Sequence, residues 1–194
     1  MTTLPAFHPL TRILHNLVAL LVSAQLLIGA LMRAPHPGQP HSTAFELHEV
    51  LGLGSLAVLA AFLAWIAVRR VDAPLRQLFP WFGPARRRVF AQFMQVLQGI
   101  WRRRPPEPEA TADFASAIHG LGLLAALGMA ASGGVYWLLT EILGSGGSLP
   151  HQVGEFHGTL ASLMWAYLGG HVFMVLLHQW LGHGTLMRIL GGMR

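Results

Sequence analysis

Cysteine is absent from this chain of 194 residues, and charged residues make up only 11% of it. Without cysteine the protein has no disulfide, no thiolate metal site, no iron–sulfur cluster and no C-x-x-C-H attachment for a covalent c-type haem. Soluble domains carry about 25% charged residues, so the low charged fraction indicates a membrane protein. Any metal or haem must then be held by other side chains, and the 11 histidines are the natural candidates.

Lysine is absent too, and the 13 basic residues, all arginine, give a net charge of +5. A basic balance can indicate a nucleic-acid partner or an anionic surface. Because 53% of the residues are hydrophobic, membrane lipid is the expected partner and nucleic acid is not. The first twelve residues lack the features of a cleaved signal peptide, so the first apolar stretch is expected to remain in the bilayer.

Four apolar stretches are long enough to cross a bilayer, which takes roughly 20 helical residues. They cover about 13–32, 47–68, 115–139 and 156–181. Continuous apolar runs of this length favour helices, because only helices or closed barrels satisfy the backbone in lipid. The predicted fold is therefore all-α: an integral membrane four-helix bundle running up-down-up-down, with residues 1–194 as a single membrane domain. Glycine and proline mark loops at 35–40 and 144–147.

The arginines lie almost entirely on one side of these predicted spans. Twelve of the 13 fall at the N-terminal flank, in the loop 69–114 or in the C-terminal tail, and Arg33 alone falls on the other side. Arginine marks the cytoplasmic side of a membrane protein. We therefore expect a multi-pass protein of the bacterial inner membrane with both termini and the loop 69–114 in the cytoplasm.

The loop 69–114 contains its own helical pattern. Large apolar side chains recur at helical spacing between two arginine triplets: Phe90, Phe93, Met94, Leu97, Ile100 and Trp101. This pattern predicts an amphipathic helix lying on the inner leaflet. A docking site for a partner protein is the alternative interpretation.

Two histidines of the fourth span, His157 and His171, are 14 residues apart. Fourteen helical steps return within roughly 40° of the same face and cover roughly 21 Å along the axis. One helix thus offers two ligands near opposite sides of the membrane, with room for two stacked haems. An ionisable residue inside a span is costly, which favours a functional role.

The first two spans supply partners at matching depths. His15 lies near the cytoplasmic start of the first and His48 near the outer start of the second, which predicts the pairs His48–His157 and His15–His171. Two axial histidines favour electron transfer over oxygen binding. His119, at the cytoplasmic start of the third span, is the alternative to His15. Zinc would need four clustered ligands, which histidines roughly 21 Å apart do not provide.

Small residues stand beside the candidate ligands: Gly52, Gly158, Ala161, Gly169 and Gly170. They could make room for a flat haem, although close helix packing in membranes uses glycine equally well. His178 could serve a quinone or a proton path, and snorkelling to the interface is the plainer explanation.

These residues together resemble the bacterial cytochrome b561 family, which is related to the cytochrome b subunits of nickel–iron hydrogenases. The resemblance rests on the run Arg12–His15, on His48 with Gly52, and on His157 with His171. It implies that His15, His48, His157 and His171 are the axial ligands of two non-covalent b haems. It also implies that electrons are exchanged with quinone, ubiquinone being the expected form.

The function expected from the sequence is transmembrane electron transfer between the quinone pool and a partner on the outer face. The protein would serve either as the membrane anchor of a periplasmic oxidoreductase, with that enzyme or a cytochrome as its partner, or alone as an oxidase of a small reductant such as superoxide. The long loop resembles the anchor-type relatives more. The alternative is a non-redox four-helix membrane protein, a transporter or assembly factor, with structural histidines. Transporters usually show inverted repeats and broken helices, and neither is evident in this sequence.

Overall fold

The computed structural model describes residues 7–33, 41–72, 75–81, 84–102, 104, 106–181 and 185–190, and every regular element within these residues is helical. The α-helices in chain order are α1 (Pro9–Leu31), α2 (Thr43–Val68), α3 (Leu75–Leu78), α4 (Ala85–Trp101), α5 (Ala112–Trp137), α6 (Ser148–Trp180) and α7 (Thr185–Leu190). A 3₁₀ turn at Pro108–Thr111 precedes α5, and a π-helical turn at Leu138–Ile142 extends it.

Four helical stretches are long and apolar enough to cross a membrane: Pro9–Leu31, Thr43–Val68, Glu109–Ile142 and Ser148–Trp180. The prediction of an all-α protein with four membrane-length helices is confirmed. The predicted loop at 144–147 separates the last two and contains Gly144 and Gly147 at φ of +55° and +93°, where glycine is favoured. The predicted loop at 35–40 lies outside the described residues.

The long helices begin earlier than their apolar runs because their first turns are polar. His8 Nδ1 accepts the backbone N–H of Leu10 at 3.2 Å, so α1 begins at Pro9. Ser42 caps α2 in the same way through the N–H of Phe45 at 3.3 Å. The fourth long helix begins at Ser148 rather than 156, and Pro150 is tolerated there because a first turn needs no hydrogen bond from its N–H.

The centre of the protein is an apolar cluster with one buried residue from each long helix: Leu26, Leu59, Ala126 and Met164. Helix α1 packs mainly against α2, α2 against α5, and α5 against α6. Many large apolar side chains on the outer faces of the helices are exposed, as expected of surfaces that meet lipid. The four helices therefore contact one another at mid-depth.

A polar network joins the start of α1 to the end of α2. The Thr11 hydroxyl donates to Asp72 Oδ2 at 2.6 Å and accepts from Trp65 Nε1 at 2.9 Å and from Arg69 at 3.1 Å. Arg69 and Asp72 also form an ion pair at 3.6 Å, with side chains only 4% and 10% exposed. Burial lowers the pKa of Arg69, and the neighbouring Asp72 carboxylate opposes that shift. We call this end of the protein, which also holds the start of α5 and the end of α6, the arginine-rich end.

The two helices between α2 and α5 pack on the start of α5. A side chain at Gly120 would collide with the backbone carbonyl of Leu78 in α3. Arg88 of α4 binds Asp113 at 3.1 Å, and the Phe114 N–H donates to Gln92 Oε1 at 2.8 Å. Helix α4 is therefore held along the side of the bundle at its arginine-rich end.

Candidate functional site

The structure brings the four candidate histidines together in two pairs. The ring centroids of His48 in α2 and His157 in α6 are 6.1 Å apart. Those of His15 in α1 and His171 in α6 are 6.4 Å apart. All four side chains are partly buried. These are the two pairs that depth along the predicted spans had indicated, one in each half of α6.

The separation within each pair suits a metal with two axial imidazoles. Metal–imidazole bonds of about 2 Å on opposite sides of one ion place the ring centroids about 6 Å apart. Nδ1 of His15 and Nδ1 of His48 are buried without a hydrogen-bonding partner. Among the described residues no group of three or more His, Asp or Glu side chains could hold a metal ion. The arrangement therefore fits a haem between two histidines better than a zinc site built from side chains alone.

His157 rests against α5 at Ser132 and Gly133. The Ser132 hydroxyl lies 2.9 Å from Nδ1 of His157 and donates to the Met129 carbonyl at 3.0 Å. A Cβ at Gly133 would lie 3.1 Å from Cε1 of His157, so the absence of a side chain there lets the imidazole approach the helix backbone. Helix α5 provides neither member of this histidine pair, but it sets where one of them stands.

His48 is held from α1 by Gln25 and Gly29. The Gln25 side-chain amide donates to the backbone carbonyl of His48 at 2.8 Å. A Cβ at Gly29 would lie 3.4 Å from Cε1 of His48, so the ring lies in van der Waals contact with α1. A Cβ at Gly52 would lie 2.8 Å from Nε2 of Gln25, so glycine at this position leaves space for the amide.

His171 has two ring neighbours besides His15. The Tyr167 ring stacks on it with a centroid separation of 5.6 Å and an interplanar angle of 17°. The His119 ring meets it edge-on at 5.2 Å, and Nδ1 of His119 lies 2.7 Å from the Ala115 carbonyl. Since two axial imidazoles need about 6 Å between centroids, His15 has the better separation for pairing with His171, although the His119 ring is also close to His171.

Comparison with known families gives a match over almost the whole chain. A family model described as prokaryotic cytochrome b561 matches residues 6–192. The chain belongs to this family. No curated protein and no solved structure gave a significant match. The cytochrome is therefore a transmembrane b-type cytochrome of electron transfer, and membership of the family implies that it binds haem b.

Glycines other than those singled out in the sequence contact the histidine rings of this cytochrome. A Cβ at Gly158, Gly169 or Gly170 would meet nothing within 4 Å. Ala161 packs against the central apolar cluster. The glycines that contact histidine rings are Gly29 and Gly133, and the sequence signal for the second was the small run 132–134 in an apolar helix.

Proposed function

We propose that this cytochrome carries electrons across the bacterial inner membrane through two non-covalent b haems and exchanges them with ubiquinone. The observation that carries the proposal is the pair of histidine contacts, His48–His157 at 6.1 Å and His15–His171 at 6.4 Å. The two histidines of α6 are separated by roughly 21 Å along the helix. This covers most of a hydrocarbon core of about 30 Å, so the two sites together span the membrane.

When bound, haem would supply one-electron chemistry, and it would be held by His48 with His157 and by His15 with His171. The protein's residues hold the ligands and exclude water. Gln25 and Gly29 position His48 from α1, and Ser132 and Gly133 position His157 from α5. Tyr167 covers one face of His171. The apolar cluster at mid-depth separates the two sites and lowers the local dielectric.

The haem content of the purified protein tests the proposal directly. A reduced-minus-oxidised spectrum with a pyridine haemochrome assay should give a b-type spectrum and about two haems per chain, as two bis-histidine sites require. His48→Ala or His157→Ala should remove one haem, and His15→Ala or His171→Ala the other. His151→Ala is the matched control, because this histidine of α6 is exposed and lies 3.5 Å from Glu155.

His119 provides the sharpest check on the pairing at the arginine-rich end. If His15 is the ligand, His119→Ala should keep two haems while His15→Ala keeps one. The opposite result would exchange their roles. A wild-type protein that contains no haem after expression with ample haem would refute the redox function.

Quinone exchange needs its own measurement. Because two histidines would hold each haem, neither oxygen nor a substrate would bind at the metal, and a separate carrier would deliver or take up the electrons. Addition of a short-chain ubiquinol to the oxidised protein should reduce it with saturable kinetics. A protein that holds two haems but is not reduced by any quinol would retain the haem assignment and lose the quinone partner.

We further propose that the four spans run up-down-up-down with both termini in the cytoplasm. The network of Thr11, Trp65 and Asp72 supports opposite directions for α1 and α2, since the start of one meets the end of the other. Because the chain lacks cysteine, each introduced cysteine is unique. In inverted vesicles an impermeant maleimide should label Arg104→Cys and leave Gly146→Cys unlabelled. Labelling of Gly146→Cys alone would reverse the orientation.

Helix α4 is proposed to lie on the cytoplasmic leaflet. Its large apolar side chains face away from the bundle: Phe90 is 64% exposed, Trp101 is 90% exposed, and Met94 and Leu97 lie between them. Arginine residues at both helix ends can contact anionic headgroups. A fluorophore on Leu97→Cys in a nanodisc should be quenched by lipids brominated on the acyl chain, whereas one on Gln95→Cys should be quenched less. Equal quenching would refute this orientation.

A further inference from the structure

We propose that Ser132 is a positioning residue that holds a proton on Nδ1 of His157 and thereby lowers the reduction potential at the His48–His157 site. The inference rests on the proposed haem ligation. It concerns a residue of α5, the one long helix that provides no ligand in that proposal. Ser132 is 7% exposed and lies in direct reach of the His157 ring.

The direction of the proton follows from the two hydrogen bonds of the serine. A hydroxyl has one hydrogen to donate and can accept through its lone pairs. The Ser132 hydroxyl donates to the Met129 carbonyl at 3.0 Å. With its hydrogen directed to that carbonyl, the serine oxygen is left to accept from Nδ1 of His157, which lies 2.9 Å away. Nδ1 then carries the hydrogen, and Nε2 is the ring nitrogen left with a free lone pair for a metal.

A serine in a membrane helix often bonds only to its own backbone, one turn earlier. Ser132 does this too, but the additional contact with an imidazole distinguishes it from such a serine. Gly133 makes the contact possible, because a Cβ there would lie 3.1 Å from Cε1 of His157 and press the ring away. Neighbouring positions on α5 thus fix both the place and the tautomer of one ligand.

The bond has an electronic consequence at a haem. An imidazole that donates its second N–H becomes a more basic ligand, and such outer contacts tune a metal site. A more basic ligand stabilises oxidised iron, so the potential falls. By contrast, Nδ1 of His48 in the same pair and Nδ1 of His15 in the other pair are buried without a hydrogen-bonding partner. Of these three imidazoles, His157 is therefore the one whose second nitrogen is held by a side chain.

The test is a spectroelectrochemical titration of the full chain with both haems, in which the midpoint lost in His157→Ala identifies the relevant site. Ser132→Ala should shift the equilibrium at that site two- to tenfold towards the reduced form. At about 59 mV per tenfold change for one electron, this raises its midpoint by about 20–60 mV. The other midpoint should stay unchanged. Ser132→Thr, which keeps the hydroxyl, should stay near wild type.

Ser162→Ala is the matched control, because that hydroxyl is exposed on α6 and contacts the Gly158 carbonyl. If Ser132→Ala loses the haem, Ser132→Cys tests the role of the hydroxyl instead. A thiol is similar in size but a weaker hydrogen-bond acceptor, so this variant should also raise the midpoint. The role of Ser132 would be overturned if the alanine variant kept its haem and its midpoint did not move. Where the alanine variant loses the haem, the same result in the cysteine variant would overturn it. A wild-type protein without haem would instead overturn the proposed function.

Discussion

Replacing Gly52 by alanine should break the hydrogen bond between Gln25 and His48. A Cβ at Gly52 would lie 2.8 Å from Nε2 of Gln25, and ordinary contacts begin near 3.4 Å. The amide must therefore retreat by about 0.6 Å. This stretches its 2.8 Å bond to the His48 carbonyl towards about 3.4 Å, beyond the usual range for N–H···O bonds.

The expected magnitude combines three terms. The lost hydrogen bond contributes about 1 kcal/mol, and an amide left unsatisfied in an apolar setting costs about 1–3 kcal/mol. Alanine regains up to about 1 kcal/mol over glycine within a helix. Gly52→Ala should therefore destabilise the protein by about 1–3 kcal/mol. In a Gln25→Ala background the collision is absent, so the same change should be neutral or stabilising by up to about 1 kcal/mol.

The assay is equilibrium unfolding in mixed micelles, followed by circular dichroism, for the two single variants and the double variant. Gly54→Ala is the control, because a Cβ there, on the same helix, would meet nothing within 4 Å. The reasoning would be refuted if Gly52→Ala were as harmless as Gly54→Ala. It would equally fail if the effect of Gly52→Ala were the same with and without Gln25.

Three further outcomes follow from other contacts. Gly122→Ala should displace Tyr167, whose ring occupies the space of the new Cβ, and so disturb the stacking of Tyr167 on His171. The visible spectrum of one haem should change, and an unaltered spectrum would contradict this prediction. Asp72→Ala should destabilise the protein by about 3–5 kcal/mol, the usual loss when one partner of a buried ion pair is removed, because Arg69 remains buried. Unfolding in mixed micelles measures this loss, and a value below about 1 kcal/mol would show that the pair contributes no more than an exposed one. Removal of haem should lower the unfolding midpoint, since a ligand bound only to the native state stabilises that state; equal midpoints with and without haem would argue against haem holding the helices together.

Local chemistry explains why the helices were predictable from the sequence. Each long apolar stretch must satisfy its own backbone in lipid, and a helix does so without any partner. The apolar runs consequently predicted four membrane-length helices. Only the helix ends were missed, as at Ser148, because a polar first turn precedes the apolar run of that helix. Helical geometry likewise put His157 and His171 on one face of one helix.

The surroundings of the histidines depended on how the helices turn towards one another. Ser132 and Gly133 lie 24 or more residues from His157 in the chain, and Gly29 lies 19 residues from His48. No periodicity within one helix reveals such contacts, because they depend on the rotation and spacing of two packed helices. Composition and hydropathy by themselves determined a membrane protein of four spans with histidine as its available metal ligand. Which small and polar residues stand beside each imidazole was decided only by tertiary packing, since side chains on different helices meet according to the fit of the whole bundle.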